Sequence, residues 1–253
     1  MDNLYPVLDH GYVRLIDVLG DELSIVNAAR ASYQKESKAW GNSDAKLLAY
    51  LLAHNHMSPL RHVVLSFEIK APLMVARQWF KYRVGSTHGP EIMGEQVADE
   101  DQVDPLYGRN EASRRYIQME PTFYLPDKWR GKDPKNKQGS TPAHIVQQYW
   151  TKLLDEYQQQ GSILYHDAIG SGIAGEQARL FLPAYGMYTS WRWTASLQAV
   201  VHFLQQRLGD DAQWELNQYA HVVLALVAPR FPNVVASLIP SPPDSPDGQN
   251  LSQ

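Results

Sequence analysis

Arginines interleaved with aromatic residues are the most chemically suggestive feature of this chain. Arg77, Lys81 and Arg83 stand among Trp79, Phe80 and Tyr82 in MVARQWFKYR, Arg114 and Arg115 are adjacent in NEASRRY, Arg179 lies in ARLFLP, and Arg207 closes VVHFLQQR. Guanidinium groups that emerge from apolar surroundings suit bidentate capture of phosphate, the alternative being a set of solvated surface charges. Ser113 sits beside the paired arginines, but no histidine stands at triad spacing and no GxSxG surrounds it, so a binding role fits it better than a nucleophilic one. A second cluster, HNHMSPLRH, brings His54, His56 and His62 close together. Three imidazoles could hold zinc, yet His54 and His56 straddle an expected element boundary and no carboxylate sits at ligand spacing. They are therefore expected to be structural or ligand-orienting, with no metal site. Neither a GxGxxG nor a Walker loop is present, so any nucleotide is held by another fold.

These groups must be positioned by a chain of 253 residues that is 44% hydrophobic and 11% aromatic, enough to bury a substantial core. Lys plus Arg number 23 against 27 Asp plus Glu, and the net charge of −4 excludes a global field for nucleic acid or anionic membrane. Any phosphate ligand then needs a local arginine cluster. There is no cysteine, which removes disulfides, Fe–S clusters, thiolate zinc sites and cysteine nucleophiles. No leader-like or membrane-spanning window is evident, so a soluble cytoplasmic protein is expected.

Along the chain, GYVRLIDV (11–18) has strand composition, and Asp21 then caps a helix over ELSIVNAARASY. Asn42 and Ser43 offer a cap for a helix that stops near Asn55. Residues 63–70 alternate apolar and polar and form the clearest strand; Pro72 opens a helix that places Arg77 and Lys81 one turn apart. Residues 84–109 follow neither period and are expected to be a long surface loop. A strand at TFYLP, a basic loop over 128–137 and a helix from Pro142 to about Tyr157 that packs Ile145, Trp150, Leu153 and Leu154 follow. Glycines 170, 172 and 175 interrupt the chain before TASLQAVVHFLQQR and DAQWELNQYAHVVLALVAPRF, two consecutive helices. The proline-rich tail 240–253 is expected to be disordered beyond a single domain over 1–239.

Taken together, MVARQWFKYR and NEASRRY resemble the signature of the flavin-dependent thymidylate synthases, which runs ARQWFRHR, a short spacer with Ser, then Asn-Glu-x-Ser-x-Arg-Tyr. HMSPLRH is similar to that family's His-x-Ser/Thr-Pro-x-x-His turn, GEQARLFLP to its Glu-x-Ala-Arg-x-x-Leu-Pro helix, and QQRLGDDAQWELNQYA to its Arg-containing segment ending in Ala-Gln-Trp-Glu. The likeness spans about residues 12–238.

The resemblance implies an α+β fold with a central antiparallel sheet and packed helices. It also implies reductive methylation of dUMP to dTMP, with methylenetetrahydrofolate as carbon donor, FAD as hydride carrier and NADPH as reductant, in a homotetramer. Absence of cysteine is compatible with this, because the family uses no cysteine nucleophile. By position, Gln78, Lys81, Glu111, Ala112, Ser113, Arg114, Arg115, Arg179 and Arg207 fall where the family holds dUMP. Ser58, Lys81, Tyr82, Arg83, Val84, Glu111 and His202 fall at its flavin contacts, with Asn110 close by. Arg207 matches the arginine that polarises the pyrimidine. Two departures stand out: the family's Arg-His-Arg is Lys81-Tyr82-Arg83 here, and Ser86 and Asn110 enclose an extra segment, residues 87–109. The competing readings are a flavin- or nucleotide-binding homologue with altered methylation, such as an NADPH oxidase or dUMP-binding protein, then a histidine-metal hydrolase, then a nucleic-acid module.

Overall fold

A computed structural model describes residues 4–82, 108–112, 120–134, 139–142, 147–209 and 211–239. Its centre is a five-stranded antiparallel sheet in the order β1-β2-β3-β7-β4, built from β1 (Leu4–Val7), β2 (Gly11–Leu19), β3 (Val64–Pro72), β7 (Tyr188–Ser196) and β4 (Gly108–Glu111). Strands β3 and β7 are the spine. Leu65, Phe67, Ile69 and Ala71 of β3 and Trp191, Trp193 and Ala195 of β7 point to one face and are buried. Phe67 pairs with Trp193 and Ile69 with Trp191, and the Phe67 and Trp193 rings stack at 5.4 Å.

Helices α1 (Glu22–Arg30), α2 (Asn42–Ala53), α3 (Leu73–Trp79), α6 (Leu197–Arg207), α7 (Trp214–Val227) and α8 (Pro232–Leu238) complete the main core, which makes this an α+β fold. Asp21 caps α1 as expected, accepting from Ser24 N–H at 2.8 Å while Ser24 Oγ accepts from Asp21 N–H at 3.1 Å. For α2 the cap falls one residue earlier than Asn42: Gly41 takes that position and donates its N–H to Asp44 at 2.8 Å. Gly11 is fixed by close approach. A Cβ there would lie 1.9 Å from Tyr219 Oη and 2.6 Å from the Val7 carbonyl, because Tyr219 crosses it to donate to the Lys70 carbonyl at 2.8 Å.

Several expectations are corrected. Helix α3 ends at Trp79, so Lys81 lies beyond it in a turn where Lys81 N–H bonds the Gln78 carbonyl. Only Phe123 of TFYLP makes a β-bridge, to Met187. The basic loop contains a hairpin, β5 (Arg130–Lys132) with β6 (Ser140–Pro142), so Pro142 belongs to a strand. Helix α4 (Gln147–Gly170) runs well past Tyr157, with Trp150 and Leu153 exposed and Gln158, Gly161, Tyr165 and Ala168 turned inward. Ile145 lies outside the described residues. Thr194–Ser196 finishes β7 before α6 starts, and Gly108 and Arg109 of the expected surface loop form part of β4. The remainder of that loop and the tail from residue 240 lie outside the described residues. A short helix α5 (Gly175–Ala178) joins α4 in a small second cluster with Tyr165, Ala168, Ala178 and Leu182.

One buried carboxylate ties the ends of the fold together. Glu22 accepts from Asn233 N–H at 2.7 Å, Asn233 Nδ2 at 2.6 Å and Val234 N–H at 3.1 Å, capping α8 from the start of α1. In Glu22→Gln an amide nitrogen replaces one of the two acceptors. We expect a loss of about 2 kcal/mol in chemical denaturation; an unchanged midpoint would contradict this role.

Candidate active site at three helix ends

The C-terminal ends of α3 and α6 and the N-terminal end of α7 meet, and they carry most of the described sequence-predicted residues that touch one another. Trp79 anchors the junction, stacking on Phe203 of α6 at 4.5 Å and standing edge-on to Trp191 and Trp193 at 5.6 and 5.4 Å. The turn after α3 then drops Tyr82 into the space beside α6. Its ring is buried, edge-on to Phe203 at 5.3 Å and tilted at 5.9 Å from His202. Arg207, the last residue of α6, donates Nε–H to Tyr82 Oη and lies with its guanidinium carbon 5.1 Å from the centre of the same ring. Its backbone carbonyl accepts from Asn217 Nδ2 at 2.9 Å.

This geometry spends one of five guanidinium donors internally. Among the described residues Tyr82 is the only side-chain partner of Arg207, so the terminal fork of nitrogens is held in one orientation and remains for a ligand. Burial raises the Tyr82 pKa and the Arg207 charge partly opposes it, so the phenol stays neutral and serves as acceptor. Burial, followed by the Arg207 charge, lowers the His202 pKa and leaves a neutral imidazole. Gln78 donates Nε2–H to Gln213 Oε1 across the α3–α7 junction.

Other predicted residues stand apart. Ser58 opens a 3-10 turn (Ser58–His62) that packs against α6, where Arg61 donates Nε–H to the buried Gln198 Oε1 at 2.7 Å. Glu111 and Ala112 lie at the β4 edge: the Glu111 side chain accepts from Thr189 Oγ1 at 2.7 Å, and Ala112 N–H bonds the Ser190 carbonyl at 2.8 Å. Asn110 of β4 stands opposite Arg192 of β7 in the sheet. Arg179 begins the turn after α5, and its Nε is buried without a partner among the described residues. Lys81 is exposed. Arg83, Val84, Ser113, Arg114 and Arg115 lie outside the described residues. His54 and His56 do not converge on a point; they stack face to face at 6.4 Å on Tyr50 at the surface. A cavity of about 650 Å3 beside Asp9, Asp155 and Ile163 is lined by none of the candidates.

Sequence reasoning gave no role to the polar residues behind the junction, Gln213, Glu215, Arg130 and Tyr124, although the first two stand in the matched Ala-Gln-Trp-Glu segment. The available signal was a glutamate between Trp214 and Leu216 at the head of an apolar helix, a position where a carboxylate must find partners.

The family model described as thymidylate synthase complementing protein matches residues 14–233. The flavin-dependent thymidylate synthase of Thermus thermophilus is 38% identical over 227 residues, covering 90% of this chain and 75% of the relative. That of Thermosipho africanus is 35% identical over 218 residues, covering 85% of each. Among solved structures, the UMP/dUMP methylase PolB from Streptomyces cacaoi, bound with 5-Br dUMP, superposes with a TM-score of 0.74 at 24% identity, covering 92% of this chain and 96% of that one, which shows the shared fold. The sheet with its three converging helix ends is thus a known α+β architecture. The chain belongs to the flavin-dependent thymidylate synthase family.

The donor set at the junction fits the heteroaromatic cofactor that the family name implies. A neutral imidazole without hydrogen-bond partners among the described residues, an oriented guanidinium fork and a buried phenol ring are groups that hold a flavin-like ring by stacking and charge.

The depressed His202 pKa has a checkable sign. Because the folded value lies below the ordinary 6.5, protonation favours the unfolded chain; stability is unaffected above pH 6.5 and falls as pH drops toward the folded value. Imidazole NMR should give a midpoint under 6.5, rising in Arg207→Ala as the neighbouring charge is removed. A midpoint at or above 6.5 in the unaltered protein would refute the assignment.

Proposed function

We propose that this protein is an enzyme that methylates dUMP at C5 to give dTMP, with methylenetetrahydrofolate as carbon donor, FAD as hydride carrier and NADPH as reductant. The observation that carries the reading is the Tyr82-held Arg207 fork beside neutral His202, in a chain that matches the family over residues 14–233. Family membership at 35–38% identity over most of the chain supports the reaction, and the dUMP methylase neighbour supports the fold in which it occurs.

Arg207 places a fixed positive charge against the pyrimidine and stabilises the electron-rich form whose C5 attacks the methylene carbon. The C5–carbon bond forms, the C5 hydrogen leaves as a proton while the bond from the methylene carbon to the folate nitrogen breaks and releases tetrahydrofolate, and a hydride completes the methyl group. FAD, when bound at the junction, would supply that hydride, with NADPH as the source of its electrons. Gln78, Lys81, Glu111, Ala112, Ser113, Arg114, Arg115 and Arg179 hold dUMP, the arginines neutralising its phosphate. Ser58, Lys81, Tyr82, Arg83, Val84, Glu111 and His202 contact the flavin. No protein thiol takes part, as the chain has no cysteine.

Scattering of these positions over the α3–α6 junction, the β4 edge and the turn after α5 supports sites assembled from several subunits of a homotetramer. The exposed Tyr149, Trp150, Leu153 and Tyr157 of α4 offer apolar surface for such contacts. We place the enzyme in the cytoplasm; among the described residues no helix is long and apolar enough to cross a membrane. One observation favours a second reading, a flavoprotein with altered methylation. Lys81 and Tyr82 replace the signature's arginine and histidine, and Tyr82 is engaged by Arg207.

Purified protein given dUMP, methylenetetrahydrofolate, NADPH and FAD is expected to form dTMP only when all four are present. NADPH oxidation without dTMP would select the second reading. Arg207→Ala should lower turnover by about 100-fold or more with flavin still bound, and wild-type turnover would remove its central role. Light scattering should give four chains per particle; a monomer would overturn the shared-site arrangement.

A further inference from the structure

Behind Gln78 lies a chain of hydrogen bonds with a fixed direction. It starts at Glu215, a buried carboxylate with only acceptor atoms. Arg130 of the β5–β6 hairpin donates to Oε1 of Glu215, with its guanidinium carbon 4.5 Å from the centre of the Trp214 ring, and Tyr124 Oη lies 3.4 Å from the same oxygen. The other oxygen accepts from Gln213 Nε2 at 2.9 Å. A carboxylate cannot donate, so the Gln213 amide has one permitted orientation, nitrogen toward Glu215. Its Oε1 must then face Gln78, and the atom of Gln78 bonded to it must be the Nε2 donor. The polarity set by the Arg130–Glu215 pair is thereby passed through Gln213 to the Gln78 amide. Gln78 is half-buried, and Gln213 is its only side-chain partner among the described residues.

We propose that Arg130, Glu215 and Gln213 are positioning residues that lock the Gln78 amide, so that it reads a pyrimidine by its hydrogen-bond polarity and selects uracil over cytosine. This rests on the dUMP reading above, in which Gln78 and Arg207 share one ligand. A freely rotating amide pairs equally with either base, since its oxygen and nitrogen can exchange places. Uracil offers an N3–H donor beside a C4 carbonyl acceptor, and cytosine offers the reverse, an N3 acceptor beside a C4 amino donor. An amide whose nitrogen is held on Gln213 keeps its carbonyl oxygen for the uracil N3–H, and meets the cytosine N3 lone pair with like polarity.

The test measures equilibrium binding of dUMP and dCMP to the flavin-loaded protein by titration calorimetry. It compares wild type, Gln213→Met, which breaks the chain with little change of volume, and Arg130→Leu, which removes the outer donor from the hairpin. Circular dichroism and flavin content check that each variant is folded. Wild type should prefer dUMP, and that preference should fall about tenfold or more in Gln213→Met, by weaker dUMP binding and stronger dCMP binding together, with a smaller fall in Arg130→Leu. A merely structural role would weaken both nucleotides equally and leave their ratio unchanged, and that result overturns the proposal. If Gln213→Met does not fold, an unchanged ratio in Arg130→Leu overturns it. Wild type that binds neither nucleotide overturns the dUMP reading itself, which separates that failure from a failure of the relay.

Discussion

The packing of Trp79 is the constraint on which the candidate site depends. Its indole is almost wholly buried between β7 and α6, in contact with Phe203, Trp191, Trp193 and Tyr219. Gln78 and the turn that carries Tyr82 flank it in sequence. Close packing leaves such a side chain no alternative rotamer without a cavity, so the backbone on either side is fixed relative to α6 and α7. Three short polar segments from distant parts of the chain are thereby registered against one another by an apolar contact. The functional atoms inherit their positions from a core residue with no chemistry of its own.

Electrostatics at the junction follow from the same burial. Arg207 sits half-buried at a helix C-terminus, where the helix dipole favours its charge, and the Tyr82 phenol removes one rotational freedom from its side chain. The charge then acts on its surroundings, adding to the burial that lowers the His202 pKa and opposing the rise in the Tyr82 pKa. Farther back, Arg130 and Glu215 form an ion pair with little solvent around either side chain. Such pairs contribute uncertainly to stability, because desolvation offsets most of the attraction. Their value lies in direction: a carboxylate anchors a donor–acceptor sequence that a neutral group would leave free to invert.

Much of the fold was legible where period and punctuation agreed. Strands β2 and β3 and helices α1, α6 and α7 were recognisable because one face of each is buried against the main core. Strand β7 was missed although Trp191, Trp193 and Ala195 alternate. TASLQAVV reads as a capped helix, and the cap is indeed Ser196, accepting from Ala199 N–H at 3.3 Å, but the strand runs into it without a loop. Helix α4 misled in the opposite sense. Its Trp150 and Leu153 resemble a core stripe, while the face that packs carries Gln158 and Gly161, the latter because a Cβ would lie 2.6 Å from Pro183 Cδ. At the site, Arg207, Tyr82 and His202 were found by motif. Gln213 and Glu215 stand in the matched Ala-Gln-Trp-Glu segment but were given no role, because a polar residue's importance there comes from its partners, and those lie 85 residues away for Glu215 and 135 for Gln213.

Beyond the Trp79 junction, the turn after α5 and helix α4 each leave a group energetically incomplete in the single chain. The Arg179 Nε–H is buried without an acceptor among the described residues, a condition that costs about 1–3 kcal/mol when a donor is left unmet. Helix α4 presents tyrosine, tryptophan and leucine to solvent along its outer face while its inner face contributes Tyr165 and Ala168 to the small second cluster. An anion beside Arg179 would meet the first, and a second copy of the chain over α4 the second. The proposed homotetramer joins these solutions. If the turn after α5 is carried by the subunit contact, Arg179 of one chain can reach a phosphate whose pyrimidine end lies at the Arg207 junction of another. On this view the division of dUMP contacts among separate elements is a consequence of assembly.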